Sequence, residues 1–469
     1  MDEKYKEFND EINRNKGKRF INKATKVITS SFNNYIIKRG NEIFNNKEVS
    51  KDPKKFIPQL INLNKEMDNI VIYCFSNNII YQQTKFSSFN KFMEKSIYAK
   101  QLSNYIDFCM RVGFKGKTKE EINDILDDII QLFKYLTAQL LFQSETDNKM
   151  SNRLIKNSSL SENYEKMFIS KLKLEKGLTF VNQKNKMIED LEQNKKDVEE
   201  YKKTESKGLP NGIKFNVRVI TQGAWYINKN DLETMKIPKF LRTCIDDFEA
   251  FYLRNNEKKL IWCLGLSKLE IKYLCFPNKN VSVSTLPQFL TLLLLEKYNS
   301  LSIQKISELL ECNIKILLAD IPGLVYNPNF NPKGEKDKGL LLGTFNSETK
   351  IFKPDDEIEF NKKFYIKCIK FNTLPLPIKK SEEEIKNEDE ENEKYLLKRQ
   401  ENILQANLTR IMKSRIGRVT THSWLVSEVV KQIEEFKPQP QQIKVNIEKL
   451  IEKNIIKRSN DQGCYEYVA

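Results

Sequence analysis

The sequence is poor in the residues that most catalytic and metal sites require. It contains 1 histidine, His422, and 8 cysteines among 469 residues, and no Cys-x-x-Cys pair occurs. Zinc sites are built from His and Cys ligands at short spacings, and most nucleophilic triads need a histidine. The Gly-x-Ser-x-Gly motif of serine hydrolases is also absent. We therefore predict no catalytic residue, no metal ligand and no cofactor in this chain.

Long hydrophobic runs are missing as well. The longest, residues 289–295 (FLTLLLL), is far shorter than the roughly 20 residues of a membrane span and predicts a buried helix. The N-terminal MDEKYKEFND is charged and lacks the apolar core of a signal peptide. We expect a protein without membrane contact that is intracellular, in the cytoplasm or nucleus, with reduced cysteines.

Positive charge is in excess. Lys and Arg number 79 against 63 Asp and Glu, which gives a net charge of +16. Such an excess suits an acidic partner, including nucleic acid. Because the lysines are scattered rather than clustered, we favour a solvated surface. A winged-helix protein that binds nucleic acid stays open as the alternative.

The fold class follows from two kinds of periodicity. Residues 1 to 205 contain few Gly and Pro, and their apolar residues recur at three- and four-residue steps, which indicates stacked or bundled helices. After the turn cluster 206–212 (SKGLPNG), strand and helix patterns alternate. Predicted strands are 215–221, 259–264, 269–276, 281–284, 339–345 and 363–371, with a helix at 238–253. The sequence therefore predicts a mainly α protein with an α+β middle.

The C-terminal segment has the pattern of a winged helix. A helix from about 395 to 415 places Leu397, Leu404, Leu408, Ile411 and Met412 on one face. Two more helices and a hairpin at the C-terminus follow it. The predicted core residues of this domain are Leu425, Val426, Val429, Ile447, Leu450 and Tyr467. A charged run at 379–394 precedes it and predicts a solvated linker or helix start.

Lys413 lies on the opposite side of the first of these helices. At 100° per residue it is about 200° from Ile411 and points away from the apolar stripe. Arg410 and Arg415 flank it. An exposed amine suits an acceptor for acyl transfer. Most exposed lysines merely solvate a helix, so the residues alone leave this role open.

Four blocks resemble the C-terminal end of the cullin family: RIMKSR, HSWLVSEVVKQI, IKVNIEKLIEKNIIKR and YEYVA. Upstream blocks such as NVRVITQGAW, LPQFLTLLLLEKYN and LFKYLTAQLLFQ agree in order, so the resemblance covers about residues 55–469. It implies five segments, which are a partial helical repeat (1–115), a four-helix bundle (116–207), an α/β region with a winged-helix-like element (208–378), the charged linker (379–394) and a winged-helix neddylation-type domain (395–469).

The resemblance implies a scaffold of a ubiquitin ligase that has no active site of its own. Lys413 then accepts a ubiquitin-like modifier of the Nedd class, with Arg410, Ile411, Met412 and Arg415 around it. Ile416, where the family usually has a basic residue, and Gly417, in a longer connection, depart from the family pattern.

The resemblance also implies partners. The α/β region takes up a strand of a RING-box protein, which carries the zinc and binds the ubiquitin-conjugating enzyme. The candidate residues for this contact are Phe215, Val217, Val219, Thr221 and Trp225.

Two related possibilities stay open. The cullin-like subunit of the anaphase-promoting complex shares the domain order but is not expected to carry the lysine acceptor. A truncated cullin would bind the RING-box protein without a substrate adaptor. Because the chain is shorter than a full cullin, adaptor binding is undecided.

Overall fold

The structure is a computed structural model that describes most of the chain. The described residues are 2–204, 213–227, 232–276, 278–331, 335, 338–344, 351–375, 382–433, 436, 438–459 and 463–468, with side chains except at 2–22, 204, 255, 382–393 and 395. They form two compact units. The first unit comprises Met1–Glu189, Thr221–Trp225 and Lys386–Ala469, and the second comprises Asp190–Ile220 and Tyr226–Ile385. The five segment boundaries predicted above stay predictions.

The N-terminal half is helical, as its periodicity predicts. Its helices are α1 (Asp2–Asn45), α2 (Lys47–Ser50), α3 (Pro53–Asn69), α4 (Ile79–Phe92), α5 (Ser96–Phe108), α6 (Lys119–Lys134), α7 (Gln139–Ile155), α8 (Glu162–Lys176) and α9 (Leu178–Thr204). Helix α1 packs against α4, and α5 packs against α3 and α7. Helix α6 shows why these segments are helical. It begins at a capping box formed by Thr118 and Glu121, and it buries Ile122, Leu126 and Ile129 at three- and four-residue steps.

The second unit holds the α+β middle, which confirms the predicted fold class. Its helices and strands are α10 (Lys239–Asn255), β1 (Lys268–Lys272), β2 (Val281–Thr285), α11 (Leu286–Tyr298), β3 (Ser300–Ser302), α12 (Ile303–Leu310), α13 (Ile314–Asp320), α14 (Pro322–Val325), β4 (Leu341–Gly343), β5 (Glu357–Phe360) and β6 (Lys370–Asn372). One sheet has the order β1-β2-β6, with β1 antiparallel and β6 parallel to β2. The other is antiparallel with the order β3-β5-β4.

Two of the predicted strands are wrong. The segments 215–221 and 259–264 belong to no strand of the structure, and a short 3₁₀ turn, Leu264–Leu266, ends the second one. A strand requires a ladder partner, and side-chain alternation alone does not provide one. The other predicted strands overlap β1, β2, β4 and β6, whereas β3 and β5 have no counterpart among the predictions.

The C-terminal part belongs to the first unit and consists of three helices and a small sheet. Its elements are α15 (Glu382–Lys413), β7 (Thr420–Thr421), α16 (His422–Gln432), α17 (Pro440–Glu452), β8 (Ile456–Arg458) and β9 (Cys464–Tyr467). The sheet order is β7-β9-β8, and Ile456 faces Tyr467 in the hairpin. Helix α15 begins inside the segment predicted as a linker. Leu397 is 50% exposed, so it does not join the apolar face predicted for it.

The described residues contain neither a membrane-spanning helix nor a group of metal ligands. None of their helices is long and apolar enough to cross a membrane. Within the same part of the chain, no three His, Cys, Asp or Glu side chains come together as metal ligands.

Candidate functional site

Lys413 is the last residue of α15, and the packing of that helix turns it outward. Leu404, Leu408, Ile411 and Met412 occupy one face and are buried in the C-terminal core. Lys413 is about 200° around the helix from the buried Ile411, and its side chain is exposed. The structure therefore presents this amine to solvent at the end of a helix whose inner face is fixed.

The backbone after Lys413 forms a tight, hydrogen-bonded turn. The amide of Ser414 donates to the Arg410 carbonyl at 3.0 Å, and that of Arg415 donates to the Met412 carbonyl at 3.0 Å. The hydroxyl of Ser414 donates to the Ile411 carbonyl at 2.7 Å. Gly417 then adopts a φ of +75°, in the left-handed region that favours glycine. The turn thus stops the helix within one residue of the lysine.

Lys413 and the two arginines that flank it are engaged differently. The guanidinium of Arg410 donates to the side-chain oxygen of Gln432 at 3.1 Å. That of Arg415 lies over the ring of Trp424, 4.0 Å from its centroid. Among the described residues, Lys413 has no hydrogen bond or ion pair. The Lys413 amine is therefore accessible, whereas both arginines contact side chains of α16.

The predicted winged-helix core lies beneath this site. Leu425, Val429, Ile447 and Leu450 are buried in one cluster with the inner face of α15, and Val426 and Tyr467 pack against it. Leu140 of α7 belongs to the same cluster, so the C-terminal core continues into the helical part of its own unit. His422 begins α16, and its Nδ1 is 3.2 Å from the Tyr465 hydroxyl.

The residues predicted for the RING-box contact are divided between two places. Phe215, Val217 and Val219 pack against an aromatic cluster of the second unit, whose buried members are Tyr201, Phe248, Phe251 and Tyr252. Thr221 and Trp225 belong to the first unit, where Trp225 is buried after the turn at 222–224. The structure therefore does not place all five candidates on one strand.

A second segment that was not predicted to take part packs on the same cluster. Leu260 and Trp262 contact it, and the rings of Phe215 and Trp262 are 6.4 Å apart. The burial of residues 213–219 alternates as it does along a strand. Yet among the described residues, no backbone–backbone hydrogen bond involves 214–217 or 258–262. Two extended segments thus lie on a shared core with open backbone groups.

Comparison with known families assigns three consecutive parts of the chain. Residues 18–197 match the cullin alpha solenoid domain, 219–364 the cullin alpha+beta domain, and 399–462 the cullin protein neddylation domain. The class is therefore that of modular cullin-type proteins with an α-solenoid, an α+β region and a neddylation domain. The chain belongs to the cullin family, which confirms the resemblance found in its sequence. The solenoid match begins at residue 18, earlier than that resemblance extended.

Individual relatives agree with this assignment. The chain is 30% identical to Cullin-6 of Caenorhabditis elegans over 465 residues, covering 92% of this chain and 59% of the relative. It is 26% identical to Cullin-3A of Arabidopsis thaliana, covering 92% of this chain and 57% of the relative. It is also 26% identical to Cullin-3 of Dictyostelium discoideum, covering 96% and 60%. The chain thus spans less than two thirds of the length of these relatives.

Proposed function

We propose that this chain is a non-catalytic scaffold of a cullin-RING ubiquitin ligase. The second unit binds a RING-box protein, and Lys413 accepts a ubiquitin-like modifier of the Nedd class. The observation that carries the proposal is the exposed Lys413 at the end of α15, within the range that matches the neddylation domain. Catalysis belongs to the RING partner and its ubiquitin-conjugating enzyme, and binding of a substrate adaptor is left open.

The chemistry required of Lys413 is that of a nucleophile. Its neutral amine attacks the thioester carbonyl that joins the modifier to a conjugating-enzyme cysteine. An isopeptide bond forms, the cysteine leaves as a thiolate, and the attacking nitrogen loses a proton. Such an acceptor needs an accessible amine without an ionic partner. The absence of an ion pair at Lys413 among the described residues supports this role.

The two extended segments support the RING-box contact. Residues 214–217 and 258–262 have open backbone groups in the described chain, and their inward side chains already pack on a core. A strand from a partner can pair with such an edge by β-augmentation, in which backbone hydrogen bonds supply affinity. We infer that the RING-box protein supplies this strand, and that Phe215, Val217 and Val219 fix its place through the core beneath them.

The test of the acceptor is a modification assay. The full chain is co-expressed with a RING-box protein and incubated with the modifier and its activating and conjugating enzymes. We expect one shifted band that disappears in Lys413→Arg and persists in Lys444→Arg, a matched change of an exposed lysine on α17. A shift that persists in Lys413→Arg would overturn the assignment.

The partner contact is tested separately by co-purification. Asn216 is exposed in the first extended segment, and Asn216→Pro removes its backbone N–H. We expect this variant to lose the RING-box protein, whereas Asn216→Ala, which keeps the N–H, retains it. Equal retention by both variants would show that this backbone does not pair with the partner.

A further inference from the structure

The loop 414–419 connects the helix that carries Lys413 to the next strand, and it is thinly packed. Ile416 is 62% exposed and Val419 is 45% exposed. At Gly417, a Cβ would have no heavy atom within 4 Å. This loop has a left-handed glycine and outward apolar residues, so it makes few packing contacts. By itself it therefore does little to restrain the end of α15.

A side-chain contact links the start of this loop to α16, the helix that follows β7. The Arg415 guanidinium lies 4.0 Å from the ring centroid of Trp424. Arg415 is two residues beyond Lys413, and Trp424 is in the first turn of α16, whose inner residues Leu425 and Val429 are fully buried. The stack therefore links the end of α15 to an anchored helix.

We propose that Arg415 and Trp424 are positioning residues for the modification of Lys413, an inference that rests on the proposed function. Transfer requires the amine to meet the thioester carbonyl within a narrow range of distances and angles. Without the stack, the hydrogen bonds from the Ser414 and Arg415 amides open more often, and the last turn of α15 frays. Lys413, as the last helical residue, then samples a wider range of directions.

The chain offers a charge-matched control for this idea. Arg418 is exposed in the same loop and stacks on no ring among the described residues. Arg415→Ala and Arg418→Ala each remove one positive charge close to Lys413. Only the first removes the stack, so a difference between the two variants separates positioning from the electrostatic attraction of an acidic partner.

The kinetic experiment uses the full chain bound to its RING-box protein and measures the rate of Lys413 modification at varied chain concentration. A cation–π contact at an exposed site corresponds to about a two- to five-fold change. We expect Trp424→Ala and Arg415→Ala each to lower kcat by that factor with KM unchanged. Trp424→Phe and Arg418→Ala retain wild-type kcat. The double variant is no slower than either single variant, because both remove the same interaction.

A structural readout tests the same idea without the modification reaction. We expect amide hydrogen exchange at Ser414 and Arg415 to accelerate by about the same two- to five-fold in Trp424→Ala. Unchanged exchange would overturn the positioning role whether or not the chain is modified. A raised KM with unchanged kcat would also overturn it and assign Trp424 to a docking surface. Failure of the wild-type chain to be modified would count against the proposed function instead.

Discussion

Two parts of this chain share a strand order and differ at one helix end. The part of the second unit from α11 to β5, called here the middle element, has the strand order β3-β5-β4, and the C-terminal domain has the order β7-β9-β8. In both, a short strand after the first helix pairs with the last strand of a hairpin. In the middle element only Asn299 separates the helix from that strand, whereas the C-terminal domain inserts residues 414–419. The winged-helix topology thus does not need the inserted loop, so the loop is the feature that function must explain.

The first helices also begin differently. Helix α11 starts at a capping box made by Thr285 and Gln288, which closes the middle element. Helix α15 extends far beyond its domain core, and the core itself includes Leu140 of α7. Further along α15, the Nη1 of Arg399 is buried without a hydrogen-bond partner among the described residues. The C-terminal domain is therefore continuous with the packing of the helical half.

Breaking a buried ion pair below α15 is expected to have the largest effect. Asp147 of α7 and Lys184 of α9 are fully buried, and Lys184 Nζ is 2.5 Å from Asp147 Oδ1. Burial raises the pKa of Asp147, and the charges of Lys184 and Arg399 oppose that shift. Lys184→Met removes the ionic partner of the buried Asp147 carboxylate. We expect it to lower the free energy of unfolding by about 3–5 kcal/mol.

Hydrogen exchange resolved along the chain measures this cost. We expect faster exchange in the first unit of Lys184→Met and no change in the middle element. The double variant Asp147→Leu/Lys184→Met restores most of the loss, because neither charge of the pair is left without the other. Equal acceleration in both units would show that the middle element depends on this pair too.

Truncating one buried leucine in each of the two cores is expected to have the next largest effect. Leu408 in the C-terminal core and Leu317 in the middle core are both fully buried. Leu408→Ala and Leu317→Ala are each expected to cost about 2–5 kcal/mol. Only Leu408→Ala accelerates exchange of the Ile411 and Met412 amides beside the acceptor. If both variants accelerate it, the two elements unfold as one cooperative body and the comparison between them fails.

The loop itself gives a smaller effect. Gly417 has a φ of +75°, and Asn299, at the corresponding helix end of the middle element, has a φ of +62°. Gly417→Ala places a Cβ in the left-handed region and is expected to cost about 1–2 kcal/mol. Gly417→Asn costs less, because asparagine visits this region more readily. Thermal unfolding compares the two variants, and equal losses would contradict the backbone explanation.

Local patterns predicted most of the architecture. Helical periodicity identified the helical half, α11 and the three C-terminal helices, and the terminal hairpin followed from the turn sequence at 461–463. Strand alternation at 215–221 and 259–264 described burial correctly but not pairing, since pairing depends on a partner that local residues do not encode. Leu397 fits the helical stripe, yet the buried face in this domain starts only near Leu404.

The candidate site was predictable only in part. The exposure of Lys413 follows from helical geometry, because its position relative to Ile411 is set by the helix period. The contact of Arg415 with Trp424 depends on how residues 414–419 turn back, and no periodicity reports that path. Leu260 and Trp262 were part of a predicted strand, but only the tertiary structure shows that they share a core with Phe215.

The smallest expected effect concerns acid stability of the C-terminal domain. Glu401 of α15 accepts a hydrogen bond from Lys449 of α17 at 2.8 Å, and chiefly this bond lowers the pKa of Glu401. A carboxylate with a lower pKa in the folded state stabilises the fold above its ordinary value of 4.5, and this contribution is lost as the pH falls towards the folded value. For a partly exposed pair the contribution is about 0.2–1 kcal/mol.

Lys449→Met is therefore expected to destabilise the domain slightly at pH 7 and to reduce its loss of stability below pH 4.5. Lys305→Met is the matched control in the middle element, where Lys305 forms an exposed ion pair with Glu308 within α12. Hydrogen exchange resolved along the chain at pH 7 and pH 4 compares the two variants. We expect the control to leave exchange in the C-terminal domain unchanged. If Lys449→Met keeps the full acid sensitivity, the pair between α15 and α17 does not distinguish the two elements, and the difference between them reduces to the loop that follows Lys413.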